Sequence, residues 1–228
     1  CWRGFFIWNL QAMNVVFDFG AVLFTWRPVD LMMECFPQRA ATRAEAGHLA
    51  HEVFGHHEWQ AFDRGTIAMA DVVAQVANRA GLDATVLGTL VESIGERLKP
   101  MPESVALFKS LVALRAQRAA RGGDPLKLYY LSNMPVPYAR SLERVNSFLQ
   151  DFDGGIFSGD ELLIKPEPAI YQRLQKRYAL EPAKTVFLDD LLPNIQAAQA
   201  EGWHGIHFHN AQQATQELQA LGLREISL

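Results

Sequence analysis

Four groups of side chains in this sequence suit the handling of phosphate and a divalent cation, and each follows or opens a short distinctive run. Asp18 ends NVVFD and is followed by Phe19 and Gly20. Ser132 and Asn133 follow KLYYL, and Lys165 opens KPEPAIY. Asp189 and Asp190 close TVFLDD, with Asn194 shortly after. Mg2+ prefers hard oxygen ligands and keeps several waters, so Asp18 and Asp190 can supply two carboxylates and a backbone carbonyl a third oxygen. A carboxylate beside a bound phosphate is a nucleophile, which makes Asp18 the residue to form an aspartyl phosphate. Ser132 and backbone N–H groups can cradle phosphoryl oxygens. Lys165 offsets the crowding of negative charge, and phosphoryl transfer needs little beyond such positioning and electrostatic stabilisation.

These residues act together only if the fold brings them together. NVVFD (14–18), KLYYL (127–131), TVFLD (185–189) and GIHF (205–208) are short, apolar and rich in β-branched or aromatic residues, the pattern of strands buried on both faces of a parallel sheet. Helical stripes alternate with them: Val105, Leu107, Phe108, Leu111, Val112 and Leu114 after Pro102, then Ala169, Ile170, Leu174 and Tyr178 after Pro168. This alternation predicts an α/β fold, a doubly wound parallel-sheet (Rossmann-like) core. Ligands in such sheets bind outside the carboxyl ends of the strands, and neighbouring strands are ~4.8 Å apart, so strand-end side chains converge. Residues 28–99 contain no convincing strand and read as an inserted α-helical domain. The expected division is a core of residues 13–27 and 100–228, a helical insert of 28–99, and a leader of 1–12 ahead of Met13, the expected natural start.

The four pieces FDFGAVL (17–23), YYLSNM (129–134), KPEPAIY (165–171) and FLDDLLPNIQAAQAEG (187–202) together resemble the haloacid dehalogenase-like hydrolases. The resemblance runs from about Met13 onward, and it implies that the helical insert is a cap closing over the site. It implies Asp18 as nucleophile, Ser132, Asn133 and Lys165 as phosphate-binding residues, and Lys165 as catalytic too. Asp18, Asp190 and the Gly20 backbone carbonyl are implied Mg2+ ligands, supported by Asp189 and Asn194. Most phosphatases of the family carry a general acid two residues after the nucleophile, where this chain has Gly20. A bacterial subgroup that includes glucose-1-phosphate phosphatases is similar in having glycine there, so a sugar phosphate is one expected substrate. Glycine there implies a leaving group that needs little protonation, or a proton donor from the cap or water. Leu162 stands where the family pattern suggests a glycine.

Other readings fit less well. A kinase places its glycine-rich loop, lysine strand and catalytic loop before D-F-G, and the residues ahead of Asp18 hold none of them. HLAHEVFGHHEW (48–59) lacks the H-E-x-x-H spacing of a zinc protease, since His51 and His56 fall ~140° apart on a helix. It reads as a polar loop whose His56 or His57 faces the substrate at most, with Trp59 and Asp63 as further cap candidates. Asn194 reads also as a helix N-cap, and Trp26 sits where core and cap would hinge. A 2-haloacid dehalogenase on the same scaffold would crowd Asp189 and Asp190 against the nucleophile without a cation to relieve them. A non-catalytic phosphometabolite-binding protein would not need all of Asp18, Ser132, Lys165 and Asp190.

A net charge of −4 argues against a nucleic-acid partner. No apolar run reaches the ~20 residues of a membrane span. Two cysteines, Cys1 and Cys35, in no metal-type spacing point to a reducing cytoplasm. The expected partner is a small phosphate ester, and the expected assembly a monomer or homodimer.

Overall fold

The computed structural model describes residues 13–123 and 125–227, so the expected leader 1–12 lies outside the described residues. The first strand, β1 (Met13–Phe17), is followed by five helices: α1 (Pro28–Cys35), α2 (Arg43–Phe54), α3 (His57–Arg64), α4 (Met69–Ala80) and α5 (Ala84–Arg97). The chain then runs α6 (Pro102–Ala120), β2 (Leu126–Ser132), α7 (Val136–Val145), β3 (Gly154–Phe157) and α8 (Ser158–Glu161). It ends α9 (Pro168–Tyr178), β4 (Thr185–Asp189), α10 (Leu192–Ala200), β5 (His204–His207) and α11 (Ala211–Ala220). No helix among the described residues is long and apolar enough to cross a membrane.

Among the described residues the strands form one parallel sheet in the order β3-β2-β1-β4-β5. Side chains alternate across it: Val15 and Phe17 join one buried cluster with Phe108 and Leu111, and Val16 joins another with Ile170, Tyr171 and Ile195. Helices therefore cover both faces, as the continuous apolar runs of β1 and β4 require. The chain leaves β1 on the β2 side and later returns to its other side as β4. The switch point lies between β1 and β4, where Phe17 pairs with Leu188 and the Asp18 N–H donates to the Leu188 carbonyl at 2.9 Å. That register sets Asp18 and Asp189 side by side.

Three local readings need correction. β3 is a strand that the pattern GGIF does not announce, because two glycines depress strand propensity; Gly155 is needed since a Cβ there would lie 2.3 Å from the Tyr130 ring. The stretch around His57 is not a loop but helix α3, whose Trp59 and Phe62 are buried one turn apart. Asn194 does not cap α10: Leu191 holds the N-cap position and Asn194 is buried inside the first turn. Leu162 has φ +57°, the left-handed conformation in which a glycine would be at ease.

Helix α3 is held to its neighbours by charge. Arg79 of α4 donates to Glu58 Oε1 at 2.8 Å, to Glu52 Oε2 at 2.9 Å and to the Glu52 carbonyl at 2.6 Å. The Glu58 side chain is only 5% exposed. Arg79→Met should lower the unfolding free energy by about 3 kcal/mol in urea titration, because it strands a buried carboxylate. The Arg79→Met/Glu58→Met pair should lose clearly less, and equal losses would show that the charge pairing is not the reason.

Candidate active site

Four polar side chains meet at the switch point, three from strand ends or the residue just beyond and one from a loop between two helices. Asp18 follows β1, Asp189 ends β4, Asp190 follows it, and Lys165 lies between α8 and α9. The Lys165 ammonium sits 2.9 Å from Asp18 Oδ1 and 2.5 Å from Asp189 Oδ2. All three are buried. Asn133 fixes the lysine: its Nδ2 donates to the Lys165 carbonyl at 2.9 Å and its Oδ1 accepts the Lys165 N–H at 2.8 Å. Both ends of the Asn133 amide are thus engaged in placing Lys165. Asp189 also accepts the Leu191 N–H at 2.8 Å and Asn194 Nδ2 at 3.0 Å on each oxygen.

The charges are crowded. Burial lowers the affinity of Lys165 for its proton, but Asp18 and Asp189 outweigh it and hold the ammonium above its ordinary value. Burial pushes the Asp18 carboxyl up to about 7, against the pull of Lys165 and with the repulsion of Asp189 and Asp190. Burial and Asp189 likewise raise Asp190 to about 6. Asp18, Asp189 and Asp190 each offer an oxygen within 4.8 Å of the others. This donor set fits a hard divalent cation, because three close carboxylates facing one lysine leave negative charge uncompensated. Asp189 is committed to Lys165, Asn194 and Leu191, which leaves Asp18 and Asp190 the freer ligands.

A cavity of about 240 Å³ opens above this cluster. Asp18, Gly20, Ser132, Asn133, Lys165, Asp190 and Asn194 line its floor, as the sequence suggests. Trp59 and Asp63 line its opposite wall. His56 and His57 do not line it: His56 faces Glu52 at 3.5 Å, and the His57 side chain is 81% exposed beside Glu58. Sequence reasoning did not find Phe54, Ile94, Leu98 and Tyr138, which complete the wall with Trp26. Each belongs to an ordinary amphipathic stretch, and nothing in the spacing marks which apolar residue faces a cavity. Trp26, Phe54 and Trp59 stack edge to face in sequence, with ring centroids 5.0 and 4.7 Å apart. A second cavity of about 410 Å³ lies behind the shared wall of Trp26, Ile94 and Leu98. Its Arg97 and Glu34 pair with each other at 2.9 Å.

Residues 13–202 match the model of a family described as haloacid dehalogenase-like hydrolase. The chain is 27% identical over 206 residues to the sesquiterpene phosphatase astK of Aspergillus oryzae, covering 90% of this chain and 94% of that protein. Its fold is similar to an enzyme of the same family from Bacteroides thetaiotaomicron, solved with magnesium and inorganic phosphate, at TM-score 0.62 and 18% identity over 87% of this chain and 95% of that one. It is also similar to the L-2-haloacid dehalogenase of Xanthobacter autotrophicus, at TM-score 0.61 and 20% identity over 95% and 85% of the two chains.

The raised Asp18 carboxyl has a consequence for stability. Folded without a cation, Asp18 holds its proton up to about pH 7; unfolded, it loses it near the ordinary value of 3.8. The folded state binds more protons in that window, so its stability falls as pH rises from about 4 to 7. Asp18→Asn removes that loss. In EDTA the variant should gain on the wild type by on the order of 2–4 kcal/mol between pH 5 and pH 8, read from chemical denaturation. A constant difference across that range would mean that Asp18 titrates as an ordinary carboxylate.

Proposed function

Because the chain belongs to the haloacid dehalogenase-like hydrolase family, we propose that this hydrolase cleaves a small phosphomonoester, with Mg2+, through an aspartyl phosphate on Asp18. The observation that carries this reading is the buried Lys165 ammonium between Asp18 and Asp189, with Asp190 beside them. Asp18, Asp190 and the Gly20 carbonyl would hold Mg2+, which when bound neutralises the charge that otherwise keeps a phosphate dianion from three carboxylates. Asp18 attacks phosphorus. Ser132 and Lys165 hold the phosphoryl oxygens, and Asn133 acts by positioning Lys165. Asp189 and Asn194 keep the loop that bears Asp190 in place. Residues 28–99 act as the cap: the strand ends perform the chemistry and α2, α3 and α5 choose the substrate.

The walls speak to that choice. Above the floor, the polar side chain in the lining is Asp63; Trp26, Phe54, Trp59, Ile94, Leu98 and Tyr138 are apolar or present rings. The Tyr138 hydroxyl is taken by the Val91 carbonyl at 2.6 Å. A sugar would leave its hydroxyls unpaired here, at a cost of about 1–3 kcal/mol each. An apolar organic group fits better than the sugar phosphate the sequence suggests, and the likeness to a sesquiterpene phosphatase supports the same direction. A free Cys35 thiol agrees with a cytoplasmic setting.

Release of p-nitrophenol from p-nitrophenyl phosphate should require Mg2+, stop in EDTA and be abolished in Asp18→Asn. Activity on 2-chloropropionate without metal would instead establish the dehalogenase, and phosphate binding without turnover the binding protein. Across a series of linear alkyl phosphates, kcat/KM should rise about fourfold per added CH2 until the cavity is filled, at ~0.8 kcal/mol per buried methylene. A flat series with faster sugar phosphates would refute the apolar assignment.

A further inference from the structure

The loop after β1 ends its chemistry at Asp18. Gly20 offers no carboxyl, so a leaving alkoxide must find its proton elsewhere. The carboxylates lining the cavity are Asp18, Asp190 and Asp63. The first two belong to the cluster closed by Asp189. Asp63 stands outside it, on the opposite wall, near the last turn of α3 and beside the apolar surface where the organic group would lie. Its carboxyl has no hydrogen-bond or ion-pair partner among the described residues.

The end of α3 is fastened to the segment that carries Lys165. The Ser158 hydroxyl donates to the Asp63 carbonyl at 2.5 Å and accepts the Met134 N–H at 2.7 Å. Arg64 forms a two-pronged ion pair with Glu167, two residues beyond Lys165. Gly65, at φ +81°, lies so close to Gly159 that a Cβ there would come within 2.6 Å of the Gly159 carbonyl oxygen. Three separate contacts therefore fix Asp63 relative to the floor of the site, more than an exposed cap residue needs.

Resting on the phosphatase reading, we propose that Asp63 is the proton donor to the leaving group, delivered from α3 across the cavity in place of the acid missing at Gly20. In the first step an Asp18 oxygen bonds to phosphorus and the P–O bond to the organic group breaks. The Asp63 carboxyl proton goes to that oxygen and frees the alcohol. In the second step water attacks phosphorus, the bond to Asp18 breaks, and the proton that water sheds passes to solvent, from which Asp63 takes its proton back. Phosphate leaves, with Asp18 ionised and Asp63 protonated again. The protonation state agrees: burial, reinforced by the Asp18 charge and opposed by Lys165, raises the Asp63 carboxyl to about 8, and Tyr138 is the other titratable group facing it. It holds its proton at neutral pH.

The test is the leaving-group dependence of Asp63→Asn in the full chain with Mg2+. A positioned acid contributes ~10²–10⁴ in rate. The variant should lose about a hundredfold or more in kcat on hexyl phosphate. On p-nitrophenyl phosphate, whose phenolate leaves unaided, it should keep turnover within about fivefold of wild type. Gly20→Asp in the Asp63→Asn background should restore part of the hexyl phosphate rate, since a Cβ at Gly20 meets only Trp26 side-chain atoms at 3.8 and 4.0 Å. Equal losses on both substrates would make Asp63 a structural residue, and no loss on hexyl phosphate would give the proton to water. Either result overturns the proposal while leaving the phosphatase reading intact. A wild type inactive on both substrates removes the phosphatase reading and the proposal together.

Discussion

The Lys165 ammonium is buried between Asp18 and Asp189, and most of the site's arrangement follows from what that burial demands. An isolated charge in such a place costs several kcal/mol, and removing one partner of a buried pair costs about 3–5 kcal/mol. The chain meets the demand by contact at 2.9 and 2.5 Å and by holding both ends fast. Asn133 grips the lysine backbone on both of its polar atoms. Asn194 and the Leu191 N–H hold Asp189. One cation among three carboxylates is still too few. The raised Asp18 and Asp190 are the mark of that imbalance, and a divalent ion is its natural remedy.

The sheet makes this convergence geometrically simple. Asp18 and Asp189 are neighbours because β1 and β4 are neighbours at the switch point, with Phe17 opposite Leu188. Two of the three carboxylates are thereby fixed by the sheet itself. The helices between β1 and α6 carry the apolar wall, so they can vary without disturbing the cluster beneath. Their attachment is not loose. Arg79 ties α4 to α2 and α3, while Arg64 and Ser158 tie α3 to the segments beside Lys165 and Met134. A wall residue can then be positioned against the floor almost as firmly as the floor against itself.

The aromatic relay from Trp26 through Phe54 and Trp59 to Phe62 and Tyr138 shows why sequence alone reads this wall poorly. Each ring touches the next edge to face, and the same residues that line the cavity also fill the packing behind it. Trp59 is 6% exposed and is core and wall at once. A helical stripe of apolar residues predicts burial, but it does not say whether a neighbour or a void lies on the far side.

By itself, the sequence determined the α/β class and the strands β1, β2 and β4 to within a residue or two, and it singled out Asp18, Ser132, Asn133, Lys165 and Asp190, which line one cavity, and Asp189 beside them. It could do so because buried parallel strands are continuous apolar runs, and a polar residue ending such a run is conspicuous. Strand β3, helix α3 and the place of Asn194 were beyond it. Glycine-rich GGIF is a strand only because Tyr130 fills the space over Gly155. The histidine-rich stretch is helical only because Trp59 and Phe62 find partners in Phe54 and Tyr138. Asn194 turns inward because Asp189 is buried within reach of its amide. The sequence named Trp59 and Asp63 as cap candidates, but that Phe54, Ile94, Leu98 and Tyr138 join them around the cavity, and how Asp63 is held there, only the tertiary structure decided. Those facts depend on contacts between segments about a hundred residues apart, such as Asp63 with Ser158, and local pattern carries no record of them.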